Sequence, residues 1–377
     1  MEGIFHNLHI LMAIALQKTF ILILLIVIGL ALRSKIKSKT ELTGIKEIIL
    51  SVALPATVFV ALMGVKIDSS LLIYPLITLA FNFFIYFSMP YILLLFKIEV
   101  DSSIGRTLTM LMPSLAPGLS SFPFIHEFLG KEPLAKAAMA DVGNKFFALN
   151  FLYFIAMNMY LKNNKTNEVQ ENGKIKSLLL SLVKEPINIV MLLAIGFLSF
   201  GINFDNLPPV IAEIFNRTST LMTPMVLIYI GLAVQLKEGR IKLVSSILLF
   251  RAGITILFSV LIILIFQISS PALILLAVVV PLSSCSFWPF AHMSAIALRE
   301  ETAQIPKEKR TFNVEFAVLV LAFSLPFSTI LVMGILTAGT FFAHIETLII
   351  TGLAFIGISI IPKFIVKTIV RVSKAHG

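Results

Sequence analysis

The chain has 377 residues, of which 58% are hydrophobic and 13% are charged, and its formal net charge is +10. Soluble globular domains carry roughly 25% charged residues, so this composition excludes an ordinary soluble domain. The apolar residues stand in long blocks, such as Ser245 to Phe266, and a helix needs about twenty such residues to cross the hydrocarbon core of a bilayer. We therefore predict an all-α, polytopic integral membrane protein.

In chain order the apolar blocks predict about eleven membrane spans. The first block includes Phe20 to Leu32 and has no short apolar region with an A-x-A cleavage site, so it is predicted to be a retained span. Several polar residues and prolines interrupt the fourth and ninth blocks. The predicted spans lie near residues 11–33, 45–65, 70–97, 104–125, 132–161, 186–204, 218–236, 241–267, 271–298, 309–338 and 343–370.

Lysine and arginine are concentrated in alternate connections between the spans. They follow spans one, five, seven and nine and close the chain, as Arg33, Lys162, Lys237, Lys307 and Arg371 illustrate. Cytoplasmic loops carry this excess, so the pattern predicts an N-terminus outside and a C-terminus in the cytoplasm. The excess of lysine and arginine thus indicates how the chain is oriented in a cytoplasmic (inner) or plasma membrane, and it does not indicate nucleic acid binding.

Three short strings recur in the same order in the two halves of the chain. Span two reads "LPATVFVALMG" and span seven "TPMVLIYIGLA", span four reads "SFPFIH" and span nine "SFWPFAH", and spans five and ten both read Asn-x-x-Phe-Ala. Each half holds five spans, an odd number, so the second copy enters the membrane from the opposite face. The predicted divisions are a first repeat at 1–162, a cytoplasmic connecting loop at 163–185, a second repeat at 186–338, and an extra span with a cytoplasmic tail at 339–377.

Prolines in spans four and nine predict broken helices. Pro123 and Pro289 have no N–H, and their rings are expected to free the carbonyls of Leu119 and Cys285. Unpaired backbone groups are too costly in hydrocarbon, so the two breaks are predicted to meet and form a polar site for an anion. The alternative is that each proline merely kinks its helix. The candidate substrate-binding residues are Ser120, Ser121, Pro123, Asn144, Ser284, Ser286, Pro289 and Asn313.

Ionisable residues inside the spans are candidates for coupling or charge compensation. Asp141 and Lys145 lie one helical turn apart and either take part in transport or neutralise each other. Arg251 can pair with an anionic substrate or neutralise an acidic residue, and the histidines suit either proton coupling or a solvated rim. The candidate coupling or charge partners are Asp141, Lys145, Arg251, Glu315, His126 and His292.

The chain resembles the auxin efflux carrier family, the PIN-like membrane transport proteins. The resemblance is carried by "LPATVF" in span two, by "SFPFIHEFLG" followed by "LAKAAMADVGN", and by "KEPINIVMLLAIG" and "TPMVLIYIGLAV" in the second half. It covers nearly the whole chain from span one to span ten. The family often has asparagine where this sequence has Ser120 and Ser121, and span eleven is additional.

The resemblance implies a ten-helix inverted repeat in which spans four and nine cross at the substrate site. Spans one, two, six and seven would form a scaffold, and spans three to five and eight to ten a moving transport domain. A homodimer through the scaffold is compatible with this arrangement, although the sequence does not predict it.

The sequence therefore predicts a secondary-active or potential-driven exporter of a small organic anion that works by alternating access in a lipid bilayer. Strings for a P-loop, a zinc protease or a serine hydrolase do not occur, and neither an enzymatic activity nor a cofactor or metal is expected. The alternatives left open are a sodium-coupled symporter of the bile-acid-transporter type, a non-transporting membrane sensor and an intramembrane enzyme.

Overall fold

The computed structural model describes residues 17, 20–36, 38–64, 69–164, 186–233 and 241–375. Within these ranges the chain forms helices joined by turns, and no strand occurs. Most of the predicted connecting loop and the first part of predicted span one lie outside the described residues. The helices are α1 (Phe20–Leu32), α2 (Lys39–Ile48), α3 (Leu54–Met63), α4 (Ile73–Leu95), α5 (Ser103–Leu111), α6 (Pro117–Ser120), α7 (Phe122–Leu129), α8 (Lys131–Phe146), α9 (Leu152–Asn164), α10 (Pro186–Ser199), α11 (Pro209–Thr220), α12 (Met222–Ala233), α13 (Ile241–Ile265), α14 (Pro271–Val279), α15 (Phe287–Thr302), α16 (Val314–Ala338) and α17 (Ile345–Ala375).

Four of the described helices are long and apolar enough to cross a membrane. They are Thr40–Met63, in which a π-helical turn joins α2 to α3, together with α4, α13 and Val314–Ala343, which contains α16. On α4 the large side chains of Phe87, Tyr91 and Leu94 are exposed. Exposure of such an apolar surface is unfavourable in water and favourable in lipid, so these helices are compatible with the predicted membrane protein.

Glycine lets two pairs of helices approach each other closely. A Cβ atom on Gly143 of α8 would lie 2.0 Å from the carbonyl oxygen of Pro75 in α4. A Cβ atom on Gly253 of α13 would lie 2.7 Å from the carbonyl oxygen of Gly352 in α17. Small residues permit this kind of backbone contact between membrane helices. The additional C-terminal helix α17 is thereby docked on α13.

In the described part of the chain, predicted spans four and nine are each interrupted by several consecutive non-helical residues. In the first, α5 ends at Leu111 and α6 begins at Pro117. In the second, α14 ends at Val279 and α15 begins at Phe287. We call residues 112–116 the first break and residues 280–286 the second break.

Pro123 and Pro289, which were expected to break the helices, lie downstream of the breaks, whereas Pro113 lies within the first break and Pro281 within the second. Pro117 starts α6, Pro123 stands in the first turn of α7, and Pro289 stands in the first turn of α15. A helix has no intrahelical partner for the N–H groups of its first turn, so proline is tolerated there. These prolines therefore mark where the helices restart. Only a smaller bend, at Ser121 between α6 and α7, directly precedes Pro123.

Candidate functional site

The two breaks lie against each other, and the second break is hydrogen-bonded both to the first break and to α6. The N–H of Ala116 donates to the carbonyl oxygen of Ser284 at 2.8 Å. The N–H of Ser284 in turn donates to the hydroxyl oxygen of Ser120 at 2.9 Å. Ser120 and Ser284 are both buried, so backbone groups that lack a helical partner in the breaks are bonded to the opposite interrupted segment.

Two further pairs of serines extend this contact. The hydroxyl oxygens of Ser121 and Ser283 lie 2.7 Å apart, and both side chains are fully buried. The N–H of Ser286 donates to the hydroxyl oxygen of Ser114 at 3.1 Å, while the Ser286 hydroxyl accepts from the N–H of Trp288 and caps α15. We call the region where the two interrupted segments make these contacts the crossing.

Arg251 of α13 binds carbonyl groups of both breaks. Its Nε donates to the carbonyl oxygen of Met112 at 2.8 Å, its Nη2 to that of Ser114 at 3.2 Å, and its Nη1 to that of Ser283 at 3.0 Å. The side chain is 4% exposed. Within the described residues no carboxylate lies in salt-bridge range of Arg251, and the two acidic candidates pair elsewhere, Asp141 with Lys145 and Glu315 with Lys307. The crossing therefore contains a buried positive charge that no described acidic side chain neutralises.

Asn144 of α8 holds the first break at Leu115. Its Nδ2 donates to the carbonyl oxygen of Leu115 at 2.8 Å, and its Oδ1 accepts from the N–H of Leu115 at 2.9 Å. The same Nδ2 donates to Oδ1 of Asp141 at 2.8 Å. Asn144 thus replaces both helical hydrogen bonds that Leu115 lacks, and it connects the break to the buried carboxylate.

Asp141 and Lys145 form a loose ion pair on one face of α8. The Lys145 Nζ lies 3.6 Å from Oδ2 of Asp141, and both side chains are buried. The predicted spacing of one turn brings them together as expected. Because the pair is neutral as a whole, it does not neutralise Arg251.

Asn82 of α4 also contacts the first break, and it is absent from the sequence-based candidates. Its Nδ2 donates to the carbonyl oxygen of Pro113 at 2.6 Å and lies 3.3 Å from Oδ1 of Asn144. Its Oδ1 is buried without a hydrogen-bond partner among the described residues. A single asparagine in the apolar string "LAFNFF" is the signal that would have identified it, because a polar residue inside a span is costly without a partner.

Ser324 of α16, and not Asn313, supports the second break. The N–H of Cys285 donates to the hydroxyl oxygen of Ser324 at 3.2 Å. Asn313 instead caps the N-terminus of α16, where its Oδ1 accepts from the N–H of Phe316 at 2.9 Å. The two Asn-x-x-Phe-Ala strings consequently occupy different places in their helices, one near the end of α8 and the other at the start of α16.

The remaining candidates are not part of the crossing. Glu315 is exposed and pairs with Lys307 at 3.2 Å, which is the arrangement of a rim carboxylate. His126 is half-buried in the last turn of α7. The Nε2 of His292 lies 3.0 Å from the carbonyl oxygen of Ala148 in the π-helical turn before α9. The imidazole of His292 thus contacts the backbone of that turn, and not the serines that join the two breaks.

No family model matches the chain, and no curated protein matches it significantly. Among the described residues no three His, Cys, Asp or Glu side chains are grouped so that they could hold a metal ion. The fold and the site define only a class of protein. Its members are all-helical, have helices long enough to cross a membrane, and contain two interrupted helices that meet at a buried, polar and positively charged crossing.

Proposed function

We propose that this protein is a secondary-active or potential-driven transmembrane transporter that exports a small organic anion by alternating access. The observation that carries the proposal is the contact between the two breaks, with the buried Arg251 between them. Irregular backbone at membrane depth is tolerated only where protein or a cavity surrounds it, and discontinuous helices of this kind form the substrate sites of secondary transporters.

An inverted repeat of two five-helix units, followed by α17, accounts for the way the breaks are supported. The helices α5 and α14 both have nine residues before their breaks. Asn82 lies about three turns into α4 and Arg251 about three turns into α13, and both donate to carbonyls of a break. Asn144 of α8 and Ser324 of α16 hold the break of their own half. These correspondences support the proposed repeat, with the difference that Arg251 bonds to carbonyls of both breaks and Asn82 only to one of the first.

Electrostatics favour an anion as the substrate. The positive charge of Arg251 is buried and unpaired among the described residues, so a negative charge brought into the crossing would be stabilised in a medium of low dielectric constant. The N-termini of α7 and α15 also start at the crossing, and helix N-termini carry partial positive charge. A carboxylate is the group that suits both features.

The proposed orientation follows from the basic connections. With the N-terminus outside and the C-terminus in the cytoplasm, α5 enters from the cytoplasmic side and α14 from the outer side of an inner or plasma membrane. Both breaks then lie near the middle of the bilayer. In this arrangement the export path passes from the cytoplasmic ends of the spans to the crossing.

Flux through liposomes tests the proposal. The purified protein is reconstituted, a panel of labelled small carboxylic acids is screened by thermal shift, and acids that raise Tm are tested for transport under a membrane potential. Accumulation is expected to depend on the potential and to be lost in Arg251→Gln but not in Arg217→Gln, an exposed arginine on α11. Binding without flux would favour a membrane sensor, and flux that requires Na⁺ would favour a sodium-coupled symporter.

A further inference from the structure

The carbonyl groups around Arg251 form a site of the kind that binds a cation. Those of Met112 and Ser114 follow the C-terminus of α5, and that of Ser283 follows the C-terminus of α14. Helix C-termini carry partial negative charge, and in secondary transporters the free carbonyls of broken helices coordinate the coupling Na⁺.

We propose that the Arg251 guanidinium is a tethered cation that occupies this carbonyl site, so that the crossing is assembled without a bound monovalent ion. Three of its five N–H donors are directed at three carbonyl oxygens, at 2.8 Å, 3.0 Å and 3.2 Å. The planar guanidinium can bridge carbonyls from two different breaks, whereas a lysine at position 251 would offer only a single point charge.

The other polar side chains near these carbonyls do not supply a second cation. Asp141, the buried carboxylate closest in the network, is bonded to Asn144 and paired with Lys145. Asn82 supports the carbonyl of Pro113 with a neutral amide. The charge that stabilises the carbonyl ends of α5 and α14 is therefore that of Arg251 alone among the described residues.

The consequence for transport rests on the proposed function: anion movement through this crossing does not require Na⁺. The placement of the cation does not rest on it, because the site can be tested by stability alone. Failure of the stability test and failure of the flux assay are thus separate results.

The test measures Tm of the purified protein in choline chloride, with part of the choline replaced by Na⁺ or by guanidinium at constant ionic strength. Wild type is expected to show no saturable dependence on Na⁺. Arg251→Ala is expected to have a lower Tm, which millimolar guanidinium raises by about 2 °C or more because the free ion occupies the vacated carbonyl site. Met89→Ala, which removes a fully buried side chain from α4, is the control that guanidinium should not restore.

A saturable rise of wild-type Tm that is selective for Na⁺ would overturn the proposal. So would an unchanged Tm in Arg251→Ala, or an equal effect of guanidinium on the Met89→Ala control. If Arg251→Ala does not fold, Arg251→Lys replaces it and is expected to have a lower Tm, because a single ammonium cannot bridge the three carbonyls. Whether or not Arg251→Ala folds, the Na⁺ titration of wild type tests whether the carbonyl site takes a free monovalent ion.

Discussion

The hydroxyl oxygen of Ser121 lies 2.7 Å from that of Ser283, although 162 positions separate the two residues in the chain. Ser121 stands at the bend between α6 and α7, and Ser283 stands in the second break. This contact joins the bend that follows α6 to the second break. The geometry of the proposed site depends on it.

Removal of this contact should weaken the crossing by a small but measurable amount. We expect Ser121→Ala and Ser283→Ala to be coupled by about 1 kcal/mol in a double-mutant cycle of unfolding free energy, since a typical buried hydrogen bond contributes about this much. Ser359→Ala is the matched control, because the buried Ser359 hydroxyl bonds only to the carbonyl oxygen of Ile356 in its own helix. Strict additivity of the two crossing substitutions would show that the contact does not stabilise the fold.

Asn144 should matter more than the serines, because it satisfies two backbone groups at once. Asn144→Leu leaves the N–H and the carbonyl of Leu115 buried without partners, and each such group costs about 1–3 kcal/mol. We expect a clear fall in Tm and a loss of flux. Asn150→Leu is the control, since Asn150 makes a local hydrogen bond to the carbonyl of Phe146. Equal effects of the two substitutions would contradict a specific role of Asn144 at the break.

The Asp141–Lys145 pair should behave as a buried ion pair. Asp141→Asn or Lys145→Met alone removes one partner of the buried ion pair, which costs about 3–5 kcal/mol, whereas the double variant should be close to wild type in stability. Thermal unfolding of the three variants tests this expectation.

The control for this cycle is the Glu132–Lys136 pair of the same helix, which has the same spacing and an exposed glutamate. Its single variants should change stability by less than about 1 kcal/mol. If the double variant Asp141→Asn/Lys145→Met is no more stable than the single ones, the pair is not mutually compensating.

Gly143 should tolerate no side chain. Gly143→Ala places a Cβ atom 2.0 Å from the Pro75 carbonyl oxygen, so α4 and α8 must separate and Tm should fall strongly. Gly334→Ala is the matched control, because a Cβ on this glycine of α16 meets nothing within 4 Å. It should be neutral or slightly stabilising, since alanine favours the helix. Comparable Tm values for the two alanine variants would refute the close packing of α4 on α8.

The positions of the long helices could be predicted from the sequence alone. The predicted spans 70–97, 241–267 and 309–338 agree with α4, α13 and α16 within a few residues. Helical hydrogen bonds join residues four apart, and the apolar length that crosses a bilayer is a property of a continuous segment. Both are local, so the sequence determined them without knowledge of what each helix packs against.

The same is true of the interruptions in spans four and nine, but not of their details. Clusters of proline, serine and glycine predicted that these helices break, whereas the tertiary structure decided that the breaks lie upstream of Pro123 and Pro289. A proline is compatible both with a break and with the first turn of a new helix, so its presence alone does not locate the break.

Only the tertiary structure decided which side chains satisfy the broken backbone. Arg251 bonds to Met112 across 139 positions of the chain, and Asn82 bonds to Pro113 across 31. Ser324 supports the second break, where the repeated string had predicted Asn313. Composition and spacing identify a polar residue inside a span, but they do not identify its partner, because that partner depends on which helices pack together. The chain by itself thus determined that polar groups inside its long apolar helices must be paired, and the packing of α4, α8, α13 and α16 around the two breaks determined the pairs.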